Sequence, residues 1–142
     1  MPLNIRRAEL WASKIEDEAG GLATKLAGLA RARANLEFIF ARRAPEAPGK
    51  GVVFVTPVKG PLQIRTARTL GFQRLQRVGV VRVDGPDAQG LAGKLTLAIA
   101  EHALSLKGFS ASTLNKRCVI YLAFDSVADA SRAIRALKKL KL

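Results

Sequence analysis

One short stretch occurs twice in the chain, and this repeat constrains the fold more than any other feature. Residues 21–26 read Gly-Leu-Ala-Thr-Lys-Leu, and residues 90–95 read Gly-Leu-Ala-Gly-Lys-Leu, 69 positions later. Each copy follows a strand-like apolar segment and a loop that contains acidic residues, and each begins a segment with helical periodicity. A repeat at this spacing in a chain of 142 residues predicts two similar modules.

The first half alternates between strand and helix patterns. Period-two alternation marks its first two strands, β-branched residues mark the third, and apolar residues three and four apart mark its helices. The predicted elements are a strand at 10–15, a helix from Leu22 to Arg33, strands at 35–43 and 52–56, a helix from Pro61 with a C-cap at Gly71, and a weak strand at 72–77. The order is therefore β-α-β-β-α-β.

The second half repeats this order. Its predicted elements are a strand at 78–83, a loop at 84–87, a helix from Leu91, strands at 104–114 and 117–124, and a last helix opened by a capping box at Ser126. The chain ends without an eighth strand, and we expect residues 2–7 to supply the missing edge pairing.

Two βαββαβ units predict an α+β fold. Each unit is expected to be a ferredoxin-like module with a sheet on one side and helices on the other. We expect residues 1–75 to form the first module and residues 76–142 the second, packed as an α/β sandwich pair.

Composition restricts the function classes. No window approaches eighteen uninterrupted apolar residues and the N-terminus lacks a signal-peptide pattern, so a cytoplasmic protein that does not bind membranes is expected. The 24 Lys and Arg residues against 11 Asp and Glu give a net charge of +13. This charge is dispersed rather than gathered in a tail, which favours a basic surface over a nucleic-acid-binding segment.

No constellation of catalytic residues is present, and we predict neither an enzyme nor a cofactor. His102 is expected at a helix C-terminus, where it interacts with the terminal carbonyl groups. Cys118 lies in a strand of apolar residues and is expected to be a buried thiol. Asp84 and Asp87 flank Gly-Pro in a turn, and two carboxylates alone do not predict a metal site.

The first loop and helix resemble a known family. Asp17–Ala23 reads Asp-Glu-Ala-Gly-Gly-Leu-Ala, and Asn35–Ile39 follows after the helix. These segments are similar to the Asp-x-Pro-Gly-x-Leu-Ala loop and the Gly-Val-Asn-Ile strand of ACT domains, with Ala19 in place of proline. The whole chain resembles a tandem ACT protein.

The resemblance implies a regulatory protein that binds a small ligand, in this family usually an amino acid, at an interface between paired modules, and it implies a homodimer. Its expected ligand-binding residues are Asp17, Ala19, Gly20, Gly21, Leu22 and Asn35. Gly20 would let the backbone approach the ligand, and the helix N-terminus would offer N–H groups to a carboxylate. Asn35 would add a donor and an acceptor, and Asp17 would favour an ammonium group.

The second module departs from this pattern. Aligned on the repeated hexapeptide, Gln89 stands at the expected glycine, Leu104 at the expected asparagine, and the loop is one residue longer. We therefore expect the ligand site in the first module and a degenerate site in the second.

The alternative function is nucleic-acid binding, because βαββαβ modules include RNA-recognition motifs. Residues 117–124 partly fit the basic-aromatic octamer of those motifs through Arg117, Tyr121 and Phe124. Cys118 and Val119 replace the glycine and the first stacking aromatic, so this interpretation lacks half of its base-stacking platform.

Overall fold

The computed structural model describes residues 2–141. In chain order its elements are β1 (Asn4–Ala8), β2 (Trp11–Glu16), α1 (Gly21–Arg31), β3 (Phe38–Arg43), β4 (Lys50–Thr56), α2 (Gly60–Thr69), β5 (Gln73–Arg74), β6 (Gly79–Pro86), α3 (Leu91–Glu101), β7 (Leu106–Leu114), β8 (Arg117–Phe124) and α4 (Val127–Lys138). None of the helices in this described part is long and apolar enough to span a membrane.

The chain folds into two compact units. The inserted unit is Glu9–Leu75, and the terminal unit combines the chain up to Ala8 with the chain from Gln76 onward. Each unit contains one four-stranded antiparallel sheet and two helices. The predicted α+β class and the predicted βαββαβ modules are confirmed.

The inserted unit has the strand order β3-β4-β2-β5. Its core contains Trp11 from β2, Val53 and Val55 from β4, and Leu29 from α1. Period-two alternation in β2 and β4 sends these side chains to the face that α1 and α2 cover. The fourth strand, β5, pairs with β2 only at Trp11 and Ala12 and is shorter than the predicted strand at 72–77.

The terminal unit has the order β1-β6-β8-β7. β1 pairs antiparallel with β6 from Asn4 opposite Asp84 to Ala8 opposite Val80, as expected for the segment before the first module. The division of the chain therefore differs from 1–75 and 76–142, because the edge strand that completes the second sheet comes from the N-terminus. Ser126 caps α4 as predicted: its Oγ accepts a hydrogen bond from the Asp129 N–H at 3.0 Å.

From β2 through β3 the inserted unit corresponds to the terminal unit with an offset of 70 residues, whereas the hexapeptide repeat gives 69. Gly20 and Gly90, with φ of 88° and 77°, each precede the first residue of a helix. Arg33 and Ala103, with φ of 63° and 57°, each follow the end of that helix. The hexapeptide alignment is therefore wrong by one position.

One boundary each of β3 and β6 differs from the prediction by three residues. β3 begins at Phe38 rather than at Asn35, because the left-handed Arg33 ends the helix turn and leaves residues 34–37 as a connection. β6 continues through Pro86, so Asp84 lies in a strand rather than in a turn.

Candidate functional site

The predicted ligand loop is a tight turn between β2 and α1. The Asp17 N–H donates to the Gly49 carbonyl at 3.0 Å, and the Gly21 N–H donates to the Glu18 carbonyl at 3.1 Å. Gly20 occupies the left-handed region that favours glycine, and a Cβ at this position would have no atom within 4 Å. The backbone at Gly20 is therefore open to an approaching molecule.

Gly21 has a different role from its neighbour. A Cβ at Gly21 would lie 2.3 Å from the Glu16 carbonyl oxygen, closer than any side chain can tolerate. The first residue of α1 is therefore a glycine because strand β2 passes directly beside it, which makes Gly21 a packing residue.

The N-terminus of α1 carries no side-chain cap and no acidic residue in its first turn. Two acidic residues before it are held by cations: Asp17 Oδ2 lies 3.0 Å from Arg43 Nε, and Glu16 pairs with Lys50. Because these carboxylates are partly neutralised, the partial positive charge of the helix N-terminus remains suited to an incoming anion.

Asn35 lies at the opposite end of α1 from this loop. The helix has eleven residues and is about 16 Å long. The loop lies before its first residue and Asn35 lies beyond its last. The structure therefore brings Asp17, Ala19, Gly20, Gly21 and Leu22 together, and it does not bring Asn35 to them within the inserted unit.

The corresponding loop of the terminal unit has the same length and the same backbone hydrogen bonds. The Asp87 N–H donates to the Lys116 carbonyl at 2.9 Å, and the Leu91 N–H donates to the Ala88 carbonyl at 3.1 Å. With the offset of 70, Asp87 and Gly90 are the counterparts of Asp17 and Gly20.

The alignment on which a degenerate second loop was expected is therefore wrong, and the loop is not one residue longer. Gly90, not Gln89, stands at the position of the left-handed glycine, and Ser105, not Leu104, stands at the position of Asn35. The error arose because the matching letters of the hexapeptide occupy different structural positions in the two helices.

A cavity that the sequence reasoning missed lies in the inserted unit. It has a volume of about 510 Å³ and is lined in part by Ser13, Lys14, Lys25, Gly71 and Gln73. The sequence does show polar residues at positions where β2 and α1 face the core. Ser13 lies two residues after the buried Trp11, on the same face of β2, and Lys25 lies one helical turn before the buried Leu29.

His102 and Cys118 have the surroundings that their sequence context predicted. His102 is the C-cap of α3, and its Nδ1 lies 2.9 Å from the Ala98 carbonyl oxygen. Cys118 is buried, and burial raises the pKa of its thiol, with a further increase from the carboxylates of Asp87 and Asp84. Asp84 pairs with Arg82 in β6.

The octamer in β8 does not form a base-stacking platform. Phe124 is fully buried in the core beneath the helices, and Tyr121 is only 6% exposed. The Tyr121 hydroxyl accepts a hydrogen bond from Arg82 Nε at 3.1 Å, and the Arg82 guanidinium lies 5.9 Å from the ring centroid. Because neither aromatic ring is available to a base, the geometry does not favour the nucleic-acid alternative.

No family model and no curated protein matches the sequence. The structure nevertheless resembles solved structures over nearly its whole length. A protein from Bacteroides thetaiotaomicron matches with a TM-score of 0.76 and 13% identity, covering 96% of this chain and 99% of that one.

Two further matches are subunits of aspartate kinases. The ligand-free regulatory subunit of aspartate kinase from Thermus thermophilus matches with a TM-score of 0.64 and 15% identity, covering 96% and 95% of the two chains. Aspartokinase alpha and beta subunits match with a TM-score of 0.63 and 15% identity, covering 98% and 96%. These matches confirm the predicted tandem ACT-like fold.

Proposed function

We propose that this chain is a regulatory protein without catalytic activity that binds an amino acid at the Asp17–Leu22 loop and acts in the cytoplasm. The observation that carries the proposal is the open, uncapped N-terminus of α1 behind the left-handed Gly20. The similarity to the regulatory subunit of aspartate kinase from Thermus thermophilus supports a regulatory role. An amino acid suits this loop because it presents a carboxylate and an ammonium group a short distance apart.

The recognition chemistry follows from the loop geometry. The ligand carboxylate accepts hydrogen bonds from N–H groups in the first turn of α1 beyond Gly21, whose own N–H donates to the Glu18 carbonyl, and the helix dipole there favours negative charge. The ligand ammonium lies against the carboxylate of Asp17, which then exchanges part of its interaction with Arg43 for the ligand. Both partners of that ion pair are solvent-accessible, so this exchange costs little free energy.

Asn35 contributes to such a site only from a second chain. Because it lies about 16 Å from the loop along α1, no single inserted unit presents both to one ligand. A homodimer that places the Asn35 of one chain beside the Gly20 loop of the other provides an amide for the ligand, and we propose this arrangement for the binding-competent state.

A thermal-denaturation panel with the twenty amino acids tests the proposal. A ligand at a hundred times its dissociation constant is expected to raise the free energy of unfolding by about 2.7 kcal/mol. Asp17→Asn and Asn35→Ala are each expected to reduce this stabilisation.

Asp125→Asn changes an exposed acidic residue of the terminal unit and serves as the matched control. If all twenty amino acids leave the melting temperature unchanged, the amino-acid proposal is refuted. If gel filtration with the stabilising ligand shows a monomer, the role of Asn35 from a second chain is refuted.

A further inference from the structure

The cavity in the inserted unit lies beside the part of β2 that lacks an edge partner. β5 pairs with β2 only at Trp11 and Ala12. In the terminal unit the corresponding edge strand, β1, continues to Asp84, which is the counterpart of Lys14. Among the described residues, no strand therefore pairs with Lys14 on this side of β2, and the cavity opens there.

Polar residues line the space that apolar residues fill in the terminal unit. Ser13 is only 3% exposed, and its counterpart Val83 is fully buried. Lys25 is half-buried on α1, and its counterpart Leu95 is fully buried on α3. Compared with the terminal unit, the inserted unit therefore has less apolar volume here, and it has a hydroxyl on β2 and an ammonium group on α1.

These polar groups converge on one point. Lys25 Nζ donates to the Leu70 carbonyl, at the C-terminus of α2, which uses one of the three donors of the ammonium group. A Cβ on Gly71 would lie 3.1 Å from Lys25 Nζ and 3.3 Å from Ser13 Oγ. Gly71, with φ of 96°, therefore leaves space beside both groups.

The charge of the lining indicates the class of ligand. Two lysines, Lys14 and Lys25, border the cavity, and its lining contains no acidic residue. Gln73 adds an amide, and Ala12, Val52 and Leu75 add apolar surface. A volume of about 510 Å³ lies in the range of pockets that hold small molecules.

We propose that this cavity binds a small molecule through an anionic group, a carboxylate or a phosphate, which lies between Lys25 and Ser13. The anion accepts hydrogen bonds from Lys25 Nζ and from the Ser13 hydroxyl, which donates to the Lys14 carbonyl at 3.0 Å without a ligand and turns from that acceptor to the anion. Lys14, on the opposite face of β2 from Ser13, adds a second positive charge at the mouth. The apolar part of the ligand packs on Val52 and Leu75. This site is distinct from the Asp17–Leu22 loop and does not depend on the proposed amino-acid function.

The chain itself provides the variants that test this inference. Ser13→Val and Lys25→Leu install the residues of the terminal unit at equivalent positions, so both variants are expected to fold. Lys25→Arg keeps the positive charge, and Lys59→Leu removes an exposed lysine of the same unit as the matched control.

The measurement is a titration of the full chain with inorganic phosphate and separately with acetate, followed by amide chemical shifts in NMR spectra. Saturable shifts are expected at Ser13, Lys25 and Gly71 for at least one anion, and the tighter of the two identifies the anionic group. Lys25→Leu is expected to weaken that binding at least tenfold. Lys59→Leu should leave it unchanged, and Lys25→Arg should retain part of it.

Two outcomes overturn the inference. One is wild-type anion affinity in both Lys25→Leu and Ser13→Val. The other is shifts without saturation that are spread over the basic residues of both units, which indicates adventitious ion binding by a chain of net charge +13. The amino-acid panel is repeated on Lys25→Leu: stabilisation that persists there while phosphate and acetate binding is lost separates the two sites.

Discussion

The inserted unit and the terminal unit share one backbone plan and differ in how they fill the space beneath their first helix. In the terminal unit Leu91 and Leu95 of α3 pack into the core with Val83. In the inserted unit the same positions hold Gly21, Lys25 and Ser13, and a cavity of about 510 Å³ is present. The backbone of a module is therefore compatible with either a packed interior or a polar pocket, and Ser13 and Lys25, in place of Val83 and Leu95, account for the polar lining.

This difference separates stability from function along one chain. A half-buried lysine and a buried serine stabilise a core less than leucine and valine, because polar groups lose their hydration on burial. The terminal unit has apolar residues at these positions, and they stabilise its core. The inserted unit gives up apolar burial at the positions where a ligand is proposed to bind.

The largest expected effect contrasts Leu95→Ala with Lys25→Ala. Leu95 is fully buried, so its truncation leaves a cavity and is expected to cost about 2–5 kcal/mol. Lys25→Ala removes a hydrogen bond to the Leu70 carbonyl from an open pocket and is expected to cost about 1 kcal/mol. Chemical denaturation measures both, and equal losses would contradict the assignment of a packed and an open interior.

A second contrast concerns Gly21 and Leu91, the first residues of the two helices. Gly21→Ala is expected to destabilise by about 1–2 kcal/mol, because contact with the Glu16 carbonyl outweighs the better helix propensity of alanine. The counterpart position accepts leucine. Denaturation of Gly21→Ala together with Ala23→Gly, an exposed control in the same helix turn, separates the contact from propensity, and a more stable Gly21→Ala would refute the close approach of β2 to α1.

Gly20 and Gly90 form a matched pair with a smaller expected effect. Both residues have positive φ, and a Cβ at either position would meet no atom within 4 Å. Gly20→Ala and Gly90→Ala are therefore each expected to cost about 1 kcal/mol through backbone strain alone. Equal losses in thermal or chemical denaturation support the offset of 70 residues, whereas a loss confined to Gly20→Ala would contradict the equivalence of the two loops.

Much of the fold was predictable because local patterns and tertiary packing agree. Period-two alternation identified β2, and Ser126 and Gly71 marked helix ends through residue chemistry that does not depend on distant contacts. The short β5 and the late start of β3 were less predictable, because they depend on which neighbours a strand finds.

The register of the repeat was not predictable from matching letters. Gly21 and Gly90 look equivalent in the hexapeptides, but Gly90 is a left-handed cap and Gly21 is a helical residue that packs on β2. Lys25 and Lys94 also match, although Lys25 borders the cavity and Lys94 is exposed. The letters match because both helices are rich in leucine, alanine and lysine. Structural equivalence depends instead on φ angles and on the hydrogen bonds of the loops.

The cavity was missed for a related reason. Inward polar residues in an otherwise apolar stripe look like defects of the pattern when the stripe is read alone. Ser13 and Lys25 become meaningful only when their elements are placed beside each other and beside Gly71, which requires the register of α1 on the sheet.

The smallest expected effect distinguishes the acidic residues of the two loops. Asp17 pairs with Arg43 at 3.0 Å, and both side chains are solvent-accessible. The counterparts with an offset of 70 are Asp87 and Thr113, so the terminal unit has no arginine at this position.

Asp17→Asn is expected to cost less than about 1 kcal/mol, with a loss that shrinks as salt concentration rises. Asp87→Asn is expected to show no such salt dependence, because Thr113, at the position of Arg43, is uncharged. Denaturation at low and high salt measures the difference. A salt-dependent loss in both variants would mean that the acidic side chain serves stability in each loop, and it would remove the Arg43 pair as a feature that sets the first loop apart.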